Sequence, residues 1–143
     1  MSRSGYVELH EMEPGQYAMF RGQVASAVRG RRGQRFIRDL ADALDAMPDK
    51  LLAGHFVFEA CSGLRCALGV ALQARGVPVP ERAAEVWDPD DWGADATRAV
   101  AEALDIHPVL AAEVVFLNDE AAAPTPRGRW RFMRDWCARH LRP

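Results

Sequence analysis

Residues 35–47, RFIRDLADALDAM, place the tightest constraint on the chain. Phe36, Ile37, Leu40, Ala43, Leu44 and Met47 recur with the period of an α-helix, while Arg35, Arg38, Asp39, Asp42 and Asp45 take the opposite side. A helix of this kind holds only when other elements cover its apolar stripe. Pro48 cannot continue the helix and closes it. Arg35 with Asp39, and Arg38 with Asp42, stand four residues apart, a spacing that predicts ion pairs within the helix.

The rest of the chain offers covering elements of the same type. Tyr17, Phe20, Val24, Ala27 and Val28 predict a preceding amphipathic helix that Gly30 and Gly33 bring to an end. After Ser62 and Gly63, LRCALGVALQARG reads as a helix turning Leu64, Leu68, Ala71 and Leu72 inward and stopping at Gly76. VPVPERAAEVWDPDDW is a proline-rich connection pinned by Trp87 and Trp92. Ala96, Val100, Ala103 and Leu104 mark a further helix. Pro108 suits the first turn of the next, with Val109, Leu110, Val114 and Leu117 buried. After a loop at 121–124, Thr125 and Pro126 form an N-cap and first turn, opening a last helix with Trp130, Met133, Cys137 and Leu141 inside.

The expected fold class is therefore mainly α: a compact single-domain bundle of about six helices. A short β-hairpin is allowed near residues 55–62, where LLAGHFVFEA fits a strand or a buried helix equally. A chain of 143 residues can bury one core without disulfides or metal, and residues 1–15 are expected to be less ordered. Cys61, Cys66 and Cys137 are odd in number and follow no disulfide spacing, which suits reduced thiols in a cytosol. The N-terminus lacks the basic start and apolar core of a signal peptide, and no apolar run approaches the roughly 20 residues of a membrane span.

Charge is segregated. Residues 83–123 hold ten acids against the single base Arg98, a net charge of −9, and the remainder holds seventeen bases against ten acids, a net charge of +7. Two clusters dominate the basic part: Arg29, Arg31, Arg32, Arg35 and Arg38, then Arg127, Arg129, Arg131, Arg134, Arg139 and Arg142. RGRRGQRFIR suits phosphate contact at a helix start, although a solvated and internally paired helix face accounts for the same residues. Overall acidity argues against a general nucleic-acid binder. VAEALDIHPVLAAEVV has the outline of a helix-turn-helix, but its second helix offers aliphatics and acids where base edges require polar or basic groups.

Catalytic and metal motifs are sparse. The chain has no nucleophile elbow, phosphate loop, dinucleotide glycine fingerprint or metalloprotease histidine pair. Cys66 with His55 or His107 is a candidate thiol and imidazole pair, but a cysteine beside Ala67, Leu68 and Val70 fits a core position better. Cys61, Cys66, Cys137 and His140 offer four zinc ligands without the usual two-residue cysteine spacing. Asn118, Asp119 and Glu120 lack the alternating ligands and glycine of a calcium loop and read as a helix end. No cofactor or metal is expected. Among the four tryptophans, Trp92 beside Asp90 and Asp91 is the candidate for an exposed partner anchor, against the commoner role in the core.

RGQVASAVRGRRGQRFIRDLADALDAMP, CALG at 66–69, ARG at 74–76, DPDDWG, VAEALDI, EVVFLNDE and RWRFMRDW occur in this order, and with them the chain resembles a family of small bacteriophage and prophage proteins from Tyr17 onward. The resemblance implies a setting and no reaction: a phage-encoded accessory protein in the host bacterial cytoplasm, binding a host or phage protein. By analogy of setting, a host defence complex such as CRISPR is the expected kind of target. Together with the missing catalytic motifs, this leads to the expectation of a noncatalytic binding protein. Complementary charge would select its partner through Arg29, Arg31, Arg32 and Arg35 on one side, and Asp88, Asp90, Asp91, Trp92, Asp119 and Glu120 on the other. Nucleic-acid association through both arginine clusters is the alternative, and a small cysteine- or metal-dependent enzyme the second.

Overall fold

The amphipathic segment at 35–47 lies in α2, Arg31–Ala46, and α2 is the helix on which the others assemble. In the computed structural model, residues 13–54, 57–59, 62–84, 92–122 and 124–143 are described. Around α2 they form α1 (Pro14–Arg29), α3 (Ala67–Ala74), α4 (Glu81–Ala84), α5 (Gly93–Leu104), α6 (Pro108–Phe116) and α7 (Pro126–His140). The seventh helix beyond the expected six is α4, a single turn inside the proline-rich connection. α2 packs on α1, α3 and α7; α3 passes the contact on to α5 and α6, and α1 closes back onto α6. One continuous apolar cluster joins them, with Phe36, Ile37, Leu40, Leu44, Leu68, Leu72, Leu104, Leu110 and Met133 almost wholly buried.

Several local rules hold as read. Strands β1 (Phe58–Glu59) and β2 (Leu64–Arg65) pair antiparallel, Phe58 opposite Arg65, so the hairpin exists and extends three residues past the expected range. Thr125 accepts a bond from the Gly128 amide at 3.0 Å and Pro126 opens α7. His107 caps α6, its Nδ1 accepting from the Val109 amide at 3.0 Å, ahead of Pro108. Gly76 takes a left-handed conformation (φ 66°) just past α3. α5 and α6 form the expected helical hairpin; Leu110, Ala111, Glu113, Val114 and Val115 of α6 are buried, and the positions left partly open, Pro108, Val109, Ala112 and Phe116, carry no polar or basic group for base edges.

Other readings need correction. Gly33 does not end α1; it is a buried residue in the first turn of α2, where an added Cβ would overlap the Ala27 carbonyl oxygen. The chain turns at Gly30 alone, and the absent side chain at Gly33 lets α2 leave directly against the end of α1. Gly69 plays the same part between α3 and the Val57 carbonyl. α3 begins at Ala67, leaving Leu64 half-buried in β2. α1 begins at Pro14, and its stripe outruns its cover: Val24 and Val28 are buried, whereas Tyr17 is 41% exposed. Neither pair expected within α2 forms among the described residues: Asp39 instead meets Arg75, just past α3, at 3.0 Å. Asp45, outside those pairs, accepts from Nε and Nη2 of Arg134 of α7 at 2.6 and 2.9 Å. Trp87 lies outside the described residues, while Trp92 pins its end of the connection as expected.

Asn118 sits at the junction of these parts. After α6 the chain widens into a π-helical turn, Leu117–Ala121, closed by the Ala122 amide on the Leu117 carbonyl at 3.0 Å. The turn carries Asn118, 1% exposed, into the core. Its amide nitrogen donates to the Ala53 and Gly54 carbonyls at 2.9 and 3.0 Å, and its oxygen accepts from the Ala67 amide at 3.1 Å, capping α3 from a distant part of the chain.

Two predictions test this arrangement. Asn118→Ala removes three buried hydrogen bonds to the backbone, so unfolding by urea should show a loss of about 2–4 kcal/mol. At Asp45 the hydrogen bond from Arg134 holds the carboxyl below its usual value. A carboxyl lowered in the folded state contributes stability above its unfolded pKa of about 3.9, lost as pH falls through the lower folded value. Asp45→Asn should therefore cost under about 1 kcal/mol at pH 7, as for a largely exposed pair. Urea titrations of the two proteins should converge below about pH 4.

Candidate partner-binding face

The two arginine clusters are about a hundred residues apart in sequence, and the fold brings parts of them together. α2 and α7 run antiparallel: Asp45 meets Arg134 and the Leu44 carbonyl accepts from the Trp130 indole at one end. At the other end Gln34 donates to the His140 carbonyl at 3.0 Å and accepts from the Arg142 amide at 2.8 Å. The start of α2 with Arg31 and Arg35 is thereby tied to the end of α7 with Arg139 and Arg142. Among the described residues Arg29, Arg31, Arg35, Arg139 and Arg142 are exposed and make no ion pair.

Beside this edge a groove of about 550 Å³ runs between α1 and α7. α1 rests on α6 and α7 on the π turn, while α1 and α7 share no extensive contact; Gln34 links their ends, donating to the Val28 and His140 carbonyls. Val24, Val28, Leu117 and Trp136 supply apolar walls and floor, and Arg21, Arg29 and Arg139 form the rim. Glu113, its side chain only 5% exposed, lies in the floor and is held by Arg21 at 2.8 Å. The Trp136 ring stacks at a tilt on His140, 5.0 Å between centroids, and His140 Nδ1 lies 2.9 Å from the Trp136 carbonyl. A second hollow of about 470 Å³ at the α1–α2 turn is lined by Gln23, Ser26, Arg31, Arg32 and His107.

The acidic candidates fare differently. Asp88, Asp90 and Asp91 lie outside the described residues. Trp92 is not an exposed anchor: it is 3% exposed and its indole donates to Thr97 Oγ1 at 2.7 Å within the core. Glu120 is exposed on the π turn, and Asp119, half-buried beside it, accepts from Asn118 at 2.9 Å. The acidic and basic segments also pair with one another, Arg21 with Glu113 and Arg32 with Asp105 at 3.2 Å, which takes Arg32 partly out of the free set.

Chemical candidates gain little support. Cys66 is buried at the head of α3. His107 is exposed at the head of α6, its Nδ1 committed to the cap. Among the described residues no hydrogen bond joins the two, and His55 and Cys61 lie outside them. Burial pushes the Cys137 thiol up to about 12, the nearby Arg134 only partly opposing it. Among the described residues no group of three or more histidines, cysteines or acids is placed to hold a metal ion, and no helix is long and apolar enough to cross a membrane.

Arg21 and Trp136 were not among the site residues expected from the sequence, and Arg139 entered only as a member of the second arginine cluster. Arg21, Ala25 and Arg29 lie on one helix face at four-residue spacing, a signal present in the sequence; that Trp136 would wall a groove depends on α7 standing apart from α1. Compared with known proteins, the chain matches no family model, and no curated protein or solved structure is significantly similar to it.

Burial of both thiols yields a direct test. Native protein treated with iodoacetamide at pH 7.5 should show Cys66 and Cys137 peptides unlabelled by mass spectrometry, and both labelled after denaturation in urea. Rapid native labelling of Cys66 would restore it as a candidate nucleophile.

Proposed function

We propose that this chain is a noncatalytic binding protein, a phage-encoded accessory factor that engages a bacterial host protein in the cytoplasm and obstructs a defence complex such as CRISPR. The observation that carries the binding reading is the convergence of two sequence-distant arginine clusters on one edge, beside a groove with an apolar floor. Unpaired guanidinium groups around apolar surface suit a protein partner, because apolar contact supplies affinity while the charges raise the encounter rate and reject unsuitable partners. The phage setting and the kind of target rest on the sequence resemblance alone.

Nucleic-acid association remains a second reading, favoured by the same convergence, since that reading needs both clusters on one face. Two features weigh against it: an acid, Glu113, in the groove floor, and the pairing of Arg21 and Arg32 with acids of the same chain.

Affinity capture of the tagged protein from host lysate, at low and moderate salt and with and without nuclease, separates the two. A stoichiometric protein partner that survives nuclease is expected, and the combined variant Arg29→Glu, Arg31→Glu and Arg35→Glu should weaken its binding at least tenfold, about 1.4 kcal/mol or more. Recovery of nuclease-sensitive material alone, with affinity falling steeply as salt rises, would replace this reading with the second.

A further inference from the structure

We infer that the groove between α1 and α7 is a docking site for an amphipathic helix of a partner protein, one with an apolar stripe and acidic flanks; this rests on the binding-protein reading and names the segment the partner would present. Four observations carry it.

First, the space lies between two helices that both lean on the α6 region and share no extensive contact with each other. That is the position a further helix takes when its ridges enter a neighbour's grooves, with axes about 8–10 Å apart. A peptide that binds by strand addition would need a free sheet edge, and the strand pair among the described residues is at 58–65, on residues that do not line the groove. Second, the floor is apolar at Val24, Val28, Leu117 and Trp136, so the occupant must turn apolar side chains toward it.

Third, the rim fixes the sign of the flanks. Arg29 and Arg139 stand on opposite walls, exposed and without an ion pair among the described residues. Glu113 in the floor is already engaged by Arg21 and leaves these two uncompensated. An acid on each side of the incoming helix answers them. Fourth, the length suits a short helix. From Arg21 to Arg29 the wall advances about 12 Å at 1.5 Å per residue, room for about two turns. Tyr17, one turn before Arg21 on the same face, is 41% exposed and extends the apolar contact beyond the groove mouth. A tyrosine at such a place is a frequent binding hot spot.

The probe is a fluorescein-labelled peptide of about 14 residues, with leucines at positions i, i+3, i+4 and i+7 and glutamates flanking them. Its comparison peptide has every glutamate replaced by glutamine, and a single-stranded oligonucleotide serves as the polyanion control. Fluorescence anisotropy at low salt should show the glutamate peptide bound, the glutamine peptide at least five times weaker, and the glutamate peptide at least ten times weaker on the Arg29→Glu/Arg139→Glu protein. Tyr17→Ala should weaken it about threefold or more. All three side chains are exposed, so these variants retain the fold, which far-ultraviolet circular dichroism and the melting temperature verify. Amide and indole NMR shifts from bound peptide should gather at Val24, Val28, Leu117 and Trp136.

No binding of the glutamate peptide at 1 mM would overturn the inference, as would equal binding of both peptides, or shifts confined to Arg31, Arg35 and Arg142. Displacement of the peptide by oligonucleotide at lower concentration than by unlabelled peptide would overturn it in favour of a nucleic-acid surface. The lysate capture bears separately on the binding-protein reading: a captured protein whose binding ignores Arg29→Glu/Arg139→Glu removes the groove and leaves the binding reading, while peptide binding with no captured protein does the reverse.

Discussion

A single buried amide side chain connects parts of this fold that the helices alone would leave loose. Asn118 satisfies two carbonyls at 53–54 and the first amide of α3, so the chain after α2, the head of α3 and the end of α6 are fixed to one point. Its cost is the desolvation of a polar group at 1% exposure, and the three bonds offset it only because all are made together. The π turn follows from the same requirement. Widening the helix re-aims the side chains after Phe116, and the residue so placed is the one whose donors and acceptor match the carbonyls at 53 and 54 and the amide at 67. The groove depends on this junction as well, because Leu117 in the same turn forms part of its floor and the turn is where α7 rests.

The helical stripes were legible because they are governed by periodicity within a segment. Phe36, Ile37, Leu40 and Leu44 are buried as their spacing requires, and the caps at Thr125 and His107 with their following prolines are local chemistry. Three things were not legible, each because it depends on how the helices and turns are packed against one another. Gly33 looks like a helix breaker until α1 and α2 are placed in contact; then the overlap a Cβ would make with Ala27 gives its reason. Asn118 has the sequence context of a helix end, and nothing near it announces partners 51 to 65 positions away. Trp92 sits among aspartates in sequence but finds a core position through Thr97, one turn into the helix that follows it.

The candidate face shows the same division. The arginine clusters were visible by counting, and their meeting was not, since it rests on Gln34 bonding to the end of α7. Ion pairing within α2 was a reasonable local expectation. For Asp39 it gives way because the carboxylate lies where the end of α3 packs and Arg75 reaches it from there. Arg35 is left exposed without an ion pair among the described residues, which adds to the positive edge.

The net charge of −2 therefore says little about what a partner would meet. Pairs such as Arg21 with Glu113 and Arg32 with Asp105 join the basic and acidic segments and cancel much of their field where they touch. What remains is uneven. Arg29, Arg31, Arg35, Arg139 and Arg142 stay uncompensated on one edge, and exposed charges act over roughly 8 Å at physiological salt, the Debye length. At that range a partner approaching the groove responds to the local arginines and not to the total. Its specificity would follow from how well acids on its flanks match Arg29 and Arg139 while its apolar side reaches Val24, Val28 and Trp136. Either feature alone would be weak: apolar contact without the charges would admit many helices, and charge without the floor would be screened by salt.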